Sequence, residues 1–161
     1  MIDEIPAASP VIRLAIPEDI SIIDELDRMS SSPTRNIHRE MEKYFGSVDP
    51  STHERTLIFL AQVGERVAGK AELLLAPTSV YEEYPGVPHV GYVKRVIVAP
   101  DYRKLGLARQ LMQHIIDYGR QELSLNAIDL HVWDQNIPAI RLYESLGFEV
   151  QHRELYFRLT L

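Results

Sequence analysis

A chain of 161 residues and 18.5 kDa suits one domain with a single core and leaves little room for a second folded unit. Its 45% hydrophobic and 25% charged residues exclude an intrinsically disordered, collagen-like or disulfide-stapled chain. The net charge of −6, from 17 Lys and Arg against 23 Asp and Glu, argues against non-specific nucleic-acid binding, which needs a concentrated positive surface; it either keeps the protein soluble or favours a cationic substrate.

In chain order, VIRLAI at 11–16 reads as a short strand. Pro17-Glu18-Asp19 then opens a helix whose Ile20, Ile23, Leu26 and Asp27 form one buried stripe through about Met29. Ile37 to Phe45 fits a second short helix, closed by Gly46 and Asp49-Pro50. Thr56 to Val63 and Val67 to Ala76 are strands joined by a tight turn at Gly64-Glu65-Arg66. The segment 77–89, PTSVYEEYPGVPH, is a long loop, and Val90 to Ala99 returns to strand, its Val96-Ile97-Val98 run suiting burial on both faces. After Pro100, the spacing of Leu105, Ala108, Met112, Ile115 and Gly119 predicts an amphipathic helix, widened by Leu111 and Ile116 towards Leu123. Ala127 to Trp133 is a strand with Ile128, Leu130 and Val132 on one face.

Strand, long helix and strand in that order predict two parallel strands, at 90–99 and 127–133, joined by a right-handed crossover, with the earlier hairpins forming an antiparallel remainder. Ala139, Leu142, Tyr143 and Leu146 mark a last helix, which Gly147 ends in a left-handed cap, and Phe148–Val150 and Leu155–Leu161 are expected as two closing strands.

The absence of cysteine excludes Cys-ligated zinc, Fe–S clusters, disulfides and a cysteinyl intermediate. The six histidines show no metal-ligand spacing, so no metal site is expected. MIDEIPAASP has no basic stretch followed by an apolar run, and neither TLIFLA nor VIVA nears the ~18 apolar residues of a membrane span. No signal peptide or membrane association is expected, and the cytoplasm is the expected compartment.

The most informative stretch is Arg103-Lys104-Leu105-Gly106-Leu107-Ala108, set between an apolar strand and the first turn of a helix. A helix start has amide N–H groups without internal partners and a partial positive charge, so it receives a pyrophosphate well. Gly106 removes a side chain where phosphate would approach, Ala108 keeps the next turn small, and Arg103, Lys104 and Arg109 add positive charge. The other reading is a glycine-containing helix start that binds nothing, since this turn matches neither a dinucleotide fingerprint nor a P-loop.

The strand followed by Ala99-Pro100-Asp101-Tyr102-Arg103-Lys104-Leu105-Gly106-Leu107-Ala108 resembles V-x-P-x-x-[R/Q]-x-x-G-x-[G/A], the acetyl-CoA signature of the Gcn5-related N-acetyltransferases, the GNAT superfamily. The stretch from Asn136 to Phe148, NIPAIRLYESLGF, is similar to that family's N-x-x-A-x-x-L-Y-x-x-x-G-F segment. The resemblance covers roughly residues 11–160. It implies an α/β fold of mixed α+β type over residues 1–161 as one domain: a central mixed, mostly antiparallel twisted sheet with a splayed parallel strand pair, flanked by helices.

It further implies an acetyl-CoA-dependent N-acetyltransferase acting by direct transfer in a ternary complex. The main chain of Val96, Ile97 and Val98 would pair with pantetheine amides, and Arg103, Lys104, Leu105, Gly106, Leu107, Ala108 and Arg109 would hold the pyrophosphate. Asn136 and Tyr143 would lie near the sulfur. A non-catalytic acyl-CoA binding or sensing module of the same fold is the alternative.

Direct transfer needs a neutral amine, a polarised carbonyl and a proton for the departing thiolate. A lysine-like amine, with pKa about 10.4, must lose a proton, while a phenol held against sulfur protonates the thiolate. The resemblance gives the acid role to Tyr143, whose other reading is a helix residue packing on the sheet. Asn136 equally suits a helix N-cap. A main-chain N–H between Val96 and Val98 is the expected donor to the carbonyl oxygen.

Where some relatives carry a glutamate base, this chain has Tyr92. Tyr92, Glu83 and His89, with Glu82 beside them, are the groups left for a base or water relay, the loop residues being otherwise solvated side chains. His131 reads as a satisfied sheet histidine. Tyr81-Glu82-Glu83-Tyr84 suits a cationic acceptor or, equally, a solvated loop face. In the absence of a peptide-docking domain, a small-molecule amine is favoured over a protein amine as acceptor. The resemblance further implies C-terminal strands of a kind that often supports a homodimer.

Overall fold

The computed structural model describes residues 9–30, 35–39, 44–76 and 89–161. The chain divides into two compact units, Met1–Leu130 and His131–Leu161.

In the first unit a five-stranded sheet runs in the order β1-β2-β3-β4-β5, with β1 at Val11–Leu14, β2 at Arg55–Val63, β3 at Arg66–Leu75, β4 at Val90–Val98 and β5 at Ala127–Leu130. The first four strands are antiparallel and β4 and β5 parallel, as the strand–helix–strand pattern predicts. The β2–β3 hairpin closes through Gly64-Glu65, Val63 pairing with Arg66, and Gly64 takes φ +61°, which a two-residue hairpin loop requires and glycine allows.

Alternation along β2 and β3 sorts the side chains onto two faces. Ile58 pairs with Glu72 and Leu60 with Lys70 on one; Leu57 pairs with Leu73 and Phe59 with Ala71 on the other. The first face is covered by helix α1, Ile20–Arg28, whose Ile20 and Ile23 pack with Ile37, Tyr44, Ile58 and Leu60. The second face lies under α2, Leu107–Gln121, where Phe59 meets His114 and Tyr118 edge to face at centroid distances of 5.4 and 5.2 Å. Each fully buried Leu, Ile or Phe in these layers contributes roughly 1.5–3 kcal/mol. At the start of α1, Arg13 of β1 donates to both Asp19 oxygens at 2.7 and 2.8 Å, and Asp19 accepts from Ile16 N at 2.9 Å. These bonds tie the edge strand to the turn in which Pro17 opens a 3₁₀ segment.

The second unit holds α3, Ile137–Ser145. Asn136 caps it, its side chain accepting from Ala139 N at 3.4 Å. At the other end Gly147 takes φ +97°, Gly147 N donates to Glu144 O and Phe148 N to Tyr143 O, both at 3.0 Å. This is a Schellman motif, completed by an edge contact of the Tyr143 and Phe148 rings at 5.8 Å.

Several expectations need correction. The strand expected to reach Trp133 ends at Leu130, and Phe148–Val150 and Leu155–Leu161 form no strands. Alternating apolar residues are the pattern of a half-buried strand, but a strand exists only in a ladder, and Leu155, Phe157, Leu159 and Leu161 are exposed. In β4, Ile97 is buried while Val96 and Val98 are only half-buried, so that run is not enclosed on both faces. Residues 40–43 of the expected helix Ile37–Phe45, and 77–88 of the long loop, lie outside the described residues. No described helix is long and apolar enough to cross a membrane.

Candidate active site

Two features of β4 shape the first unit's candidate site. The ladder to β5 runs from Val90–Ala127 to Val93–Leu130 and stops, while β4 continues to Val98 beside β3. Against β3, Glu72 pairs with Lys94 but Lys70 with Ile97, so Ala71 faces both Arg95 and Val96. That extra residue is a β-bulge, and Arg95 adopts φ +52° within it, a backbone state that side-chain-bearing residues rarely take. The parallel pair therefore ends where the bulge begins, and the main chain of Val96–Val98 lies beyond it.

The strand leads through Ala99 into a 3₁₀ turn at Pro100–Tyr102, steadied by Arg66, which stacks over the Tyr102 ring at 4.9 Å. Arg103 Nε donates to Val98 O at 3.3 Å. Lys104 and Gly106 both take left-handed backbone, φ +64° and +78°, and Gly106 is the N-cap of α2. The first bond into the helix is Gln110 N to Gly106 O at 3.0 Å, so the Leu107 and Ala108 amides have no carbonyl of their own helix to meet. Residues 103–106 are exposed while Leu107 is buried as an anchor, and nothing lies within 4 Å of where a Gly106 Cβ would stand. The turn thus fits an anionic group approaching the helix start.

On the α1 face of the sheet lies an ionic cluster that the sequence patterns do not reveal. Lys70 and Glu72 of β3 are both fully buried and paired with each other. Lys70 also reaches Asp27 of α1 at 2.8 Å, Arg35 reaches Asp27 at 2.9 Å, and Arg35 donates to Glu72 Oε1 at 2.7 Å. Arg35 stacks over the Tyr44 ring at 4.4 Å, and Arg95 of the bulge lies 4.0 Å from Asp27. Burial alone would lower the Arg35 pKa; hydrogen bonding to Glu72 and the charges of Glu72 and Asp27 raise it above the ordinary range. The available signal was a Lys-Ala-Glu sequence inside an otherwise apolar strand, and Asp27 in the buried stripe of α1.

Burial by itself would raise the Glu72 carboxyl, but hydrogen bonds from Arg35 and the charges of Lys70 and Arg35 hold it below its ordinary 4.5. A carboxylate with a lower pKa folded than unfolded stabilises the protein above the unfolded value, and that stability is lost as pH falls through the folded one. The thermal midpoint should therefore drop on acidification below about pH 4.5. Glu72→Gln should flatten that dependence and, by leaving Arg35 and Lys70 undercompensated, destabilise the protein by about 3–5 kcal/mol near neutrality. A melting series across pH checks both effects, and a variant with the wild-type acid slope would remove Glu72 from the account.

Of the groups expected as a base, Tyr92 pairs with Leu74 and Asp129, upstream of the bulge and on the face of Glu72. His89 is exposed, with φ +56°, and its carbonyl accepts from Asn126 N at 3.0 Å. Glu82 and Glu83 lie outside the described residues. In the second unit, burial raises the Tyr143 phenol above its ordinary 10.0. That unit also brings ligand atoms of His131, His152 and Glu154 within 4.8 Å of one another, all on exposed side chains. The sequence spacing conceals this grouping, because His131 stands 21 residues before His152.

A family model described as the acetyltransferase (GNAT) family matches residues 22–148. Among curated proteins the chain is 37% identical over 67 residues to the N-terminal acetyltransferase B complex catalytic subunit NAA20 of Arabidopsis thaliana, covering 42% of this chain and 38% of that protein. It is 38% identical over 64 residues to the spermidine N(1)-acetyltransferase of Vibrio cholerae, covering 37% of each. The matches span well under two thirds of those relatives' length. Among solved structures, AAC(6')-Iy in complex with the bisubstrate analog CoA-S-monomethyl-acetylneamine superposes with a TM-score of 0.73 at 17% identity, covering 96% of this chain and 100% of that one.

Proposed function

Because the chain belongs to the acetyltransferase (GNAT) family, we propose that it transfers the acetyl group of acetyl-CoA directly to a primary amine in a ternary complex. The observation that carries this reading is the turn at 103–108, exposed over 103–106, with left-handed Gly106 and the Leu107 and Ala108 amides at the start of α2, after a strand whose parallel partner stops short. The pyrophosphate would rest on that turn, within the charge of Arg103, Lys104 and Arg109. The main chain of Val96–Val98 would hold the pantetheine arm, and an N–H of that stretch would stabilise the developing oxyanion. Tyr143 would return a proton to the thiolate, a role supported by its motif and by a pKa raised above 10.0, which keeps the phenol protonated near neutrality. Asn136 acts as a helix cap and, by the same motif, would also serve the sulfur end. The family match, running from 22 to 148, supports residues 1–161 as one functional domain.

The acceptor we favour is a small-molecule amine, a choice the spermidine-acetylating relative supports; the N-terminal acetyltransferase relative supports a protein amine as the competing choice. A thiol-reactive dye would report released CoA without protein background, because the chain has no cysteine. Screened against polyamines, aminosugars, amino acids and peptides with free N-termini, one class should give turnover proportional to protein. Tight acetyl-CoA binding with no turnover on any class would favour the acyl-CoA sensing module instead.

A further inference from the structure

The second unit gathers three side chains that acetyl transfer does not use. His131 directly follows β5, while His152 and Glu154 come after α3, and one ligand atom from each lies within 4.8 Å of the other two. The two imidazole rings meet edge to face, their centroids 6.0 Å apart and their planes inclined at 66°, so they splay as two rings around one ion do rather than stack. All three side chains are exposed and can turn towards a shared ion without disturbing a core. Among the described residues no other group of three such ligands converges.

A zinc ion holds nitrogen and oxygen ligands at about 2.0–2.2 Å, which places them about 3.4 Å apart in a tetrahedron. The cluster therefore has to contract by at most about 1.4 Å, within reach of small rotations of exposed side chains. Each imidazole has two nitrogens, so a ring can coordinate through one and keep a hydrogen-bond partner on the other, as metal-bound histidines usually do. Two imidazoles with one carboxylate suit zinc and its first-row neighbours, whereas magnesium and calcium take sets of oxygens.

We propose that His131, His152 and Glu154 form a binding site for a divalent transition-metal ion of the zinc type, with a fourth position left to water. The bound ion fastens residue 131 to residues 152 and 154 and so closes a loop that contains the whole of α3. Closing that loop removes freedom from the open chain, and an ion that needs the folded arrangement stabilises the second unit. The site stands independently of the acetyl-transfer reading.

Calorimetric titration of zinc chloride into the untagged protein tests this. One ion per chain should bind with a dissociation constant on the order of 10 µM or tighter. His131→Ala and His152→Ala should each weaken binding by at least about 30-fold, and Glu154→Gln by at least about 10-fold, since each removes one of three ligands. His38→Ala, at an exposed histidine outside the cluster, should bind as the wild type does. Magnesium and calcium chlorides should give no one-to-one binding at the same concentrations. Saturating zinc should also raise the melting midpoint and slow amide exchange at residues 131–136 and 148–154 in the wild type, and do neither in the double variant His131→Ala/His152→Ala.

A wild type that binds no zinc one-to-one at about 100 µM would overturn the proposal. So would wild-type zinc affinity in either histidine variant, while wild-type affinity in Glu154→Gln would overturn the three-ligand site. If the histidine variants fail to fold, imidazole resonances of the wild type decide: zinc should shift those of His131 and His152, and shifts confined to other histidines refute the site.

Discussion

Acetyl-CoA titrated into the Gly106→Glu protein should bind at least about 100-fold more weakly than to the wild type, whose expected micromolar affinity corresponds to about 8 kcal/mol. Two causes combine. The new carboxylate stands in the open space over the turn, where nothing else lies within 4 Å, and meets the pyrophosphate with like charge. The side chain must also hold φ +78°, straining the cap of α2 by roughly 1–2 kcal/mol. Gly106→Asn separates them, since asparagine tolerates left-handed backbone and carries no charge. It should lose much less affinity than the glutamate variant, with similar melting behaviour. Calorimetry showing wild-type affinity in a folded Gly106→Glu protein would move the pyrophosphate away from this turn, and a wild type that binds no acetyl-CoA would end the cofactor assignment.

The Tyr143→Phe protein should bind acetyl-CoA as the wild type does and turn over about 10²–10³-fold more slowly, the scale of a lost general acid. Its pH profile carries the sharper information. A phenol works as an acid only while protonated, and burial raises Tyr143 above 10.0, so its proton is retained through neutrality and lost only on the far alkaline side. The wild-type rate should therefore hold up to about pH 10 as far as this group is concerned, and the limb above it should be missing in Tyr143→Phe. The Phe148 edge contact and the Schellman bonds at Gly147 give the ring a defined seat, which the phenylalanine variant preserves. An unchanged kcat would mean that the thiolate departs without this proton.

The readable parts of the fold are those whose cause is local. Gly64 marks the hairpin, Pro100 the end of β4, Gly106 the start of α2 and Gly147 the end of α3, because each conformation is one that only a few residue types adopt. The parallel pair followed from a helix long enough to cross over between two apolar strands. What escaped was non-local. The cluster of Asp27, Arg35, Lys70, Glu72 and Arg95 joins residues up to 68 positions apart, and no periodicity encodes such pairing. The bulge escaped because an arginine in left-handed backbone has no residue-type signature, in contrast to a glycine there. The closing strands were over-read: apolar alternation in 155–161 states a preference for a sheet, and only an available edge turns that into a ladder.

The order of strands across the sheet is also their order along the chain, and this governs how the molecule is made. β1 to β4 form an antiparallel meander, but only β2 and β3 are joined by a tight turn; β1 reaches β2 across residues 15–54 and β3 reaches β4 across 76–89. β5 is the last strand made and joins only after the whole of α2 has crossed over. The parallel neighbour of β4 is therefore the last part of the sheet to be laid down. A ligand that needs both β4 and β5 in place stabilises the last-formed part of the sheet, so acetyl-CoA bound as proposed would raise folding yield as well as support turnover.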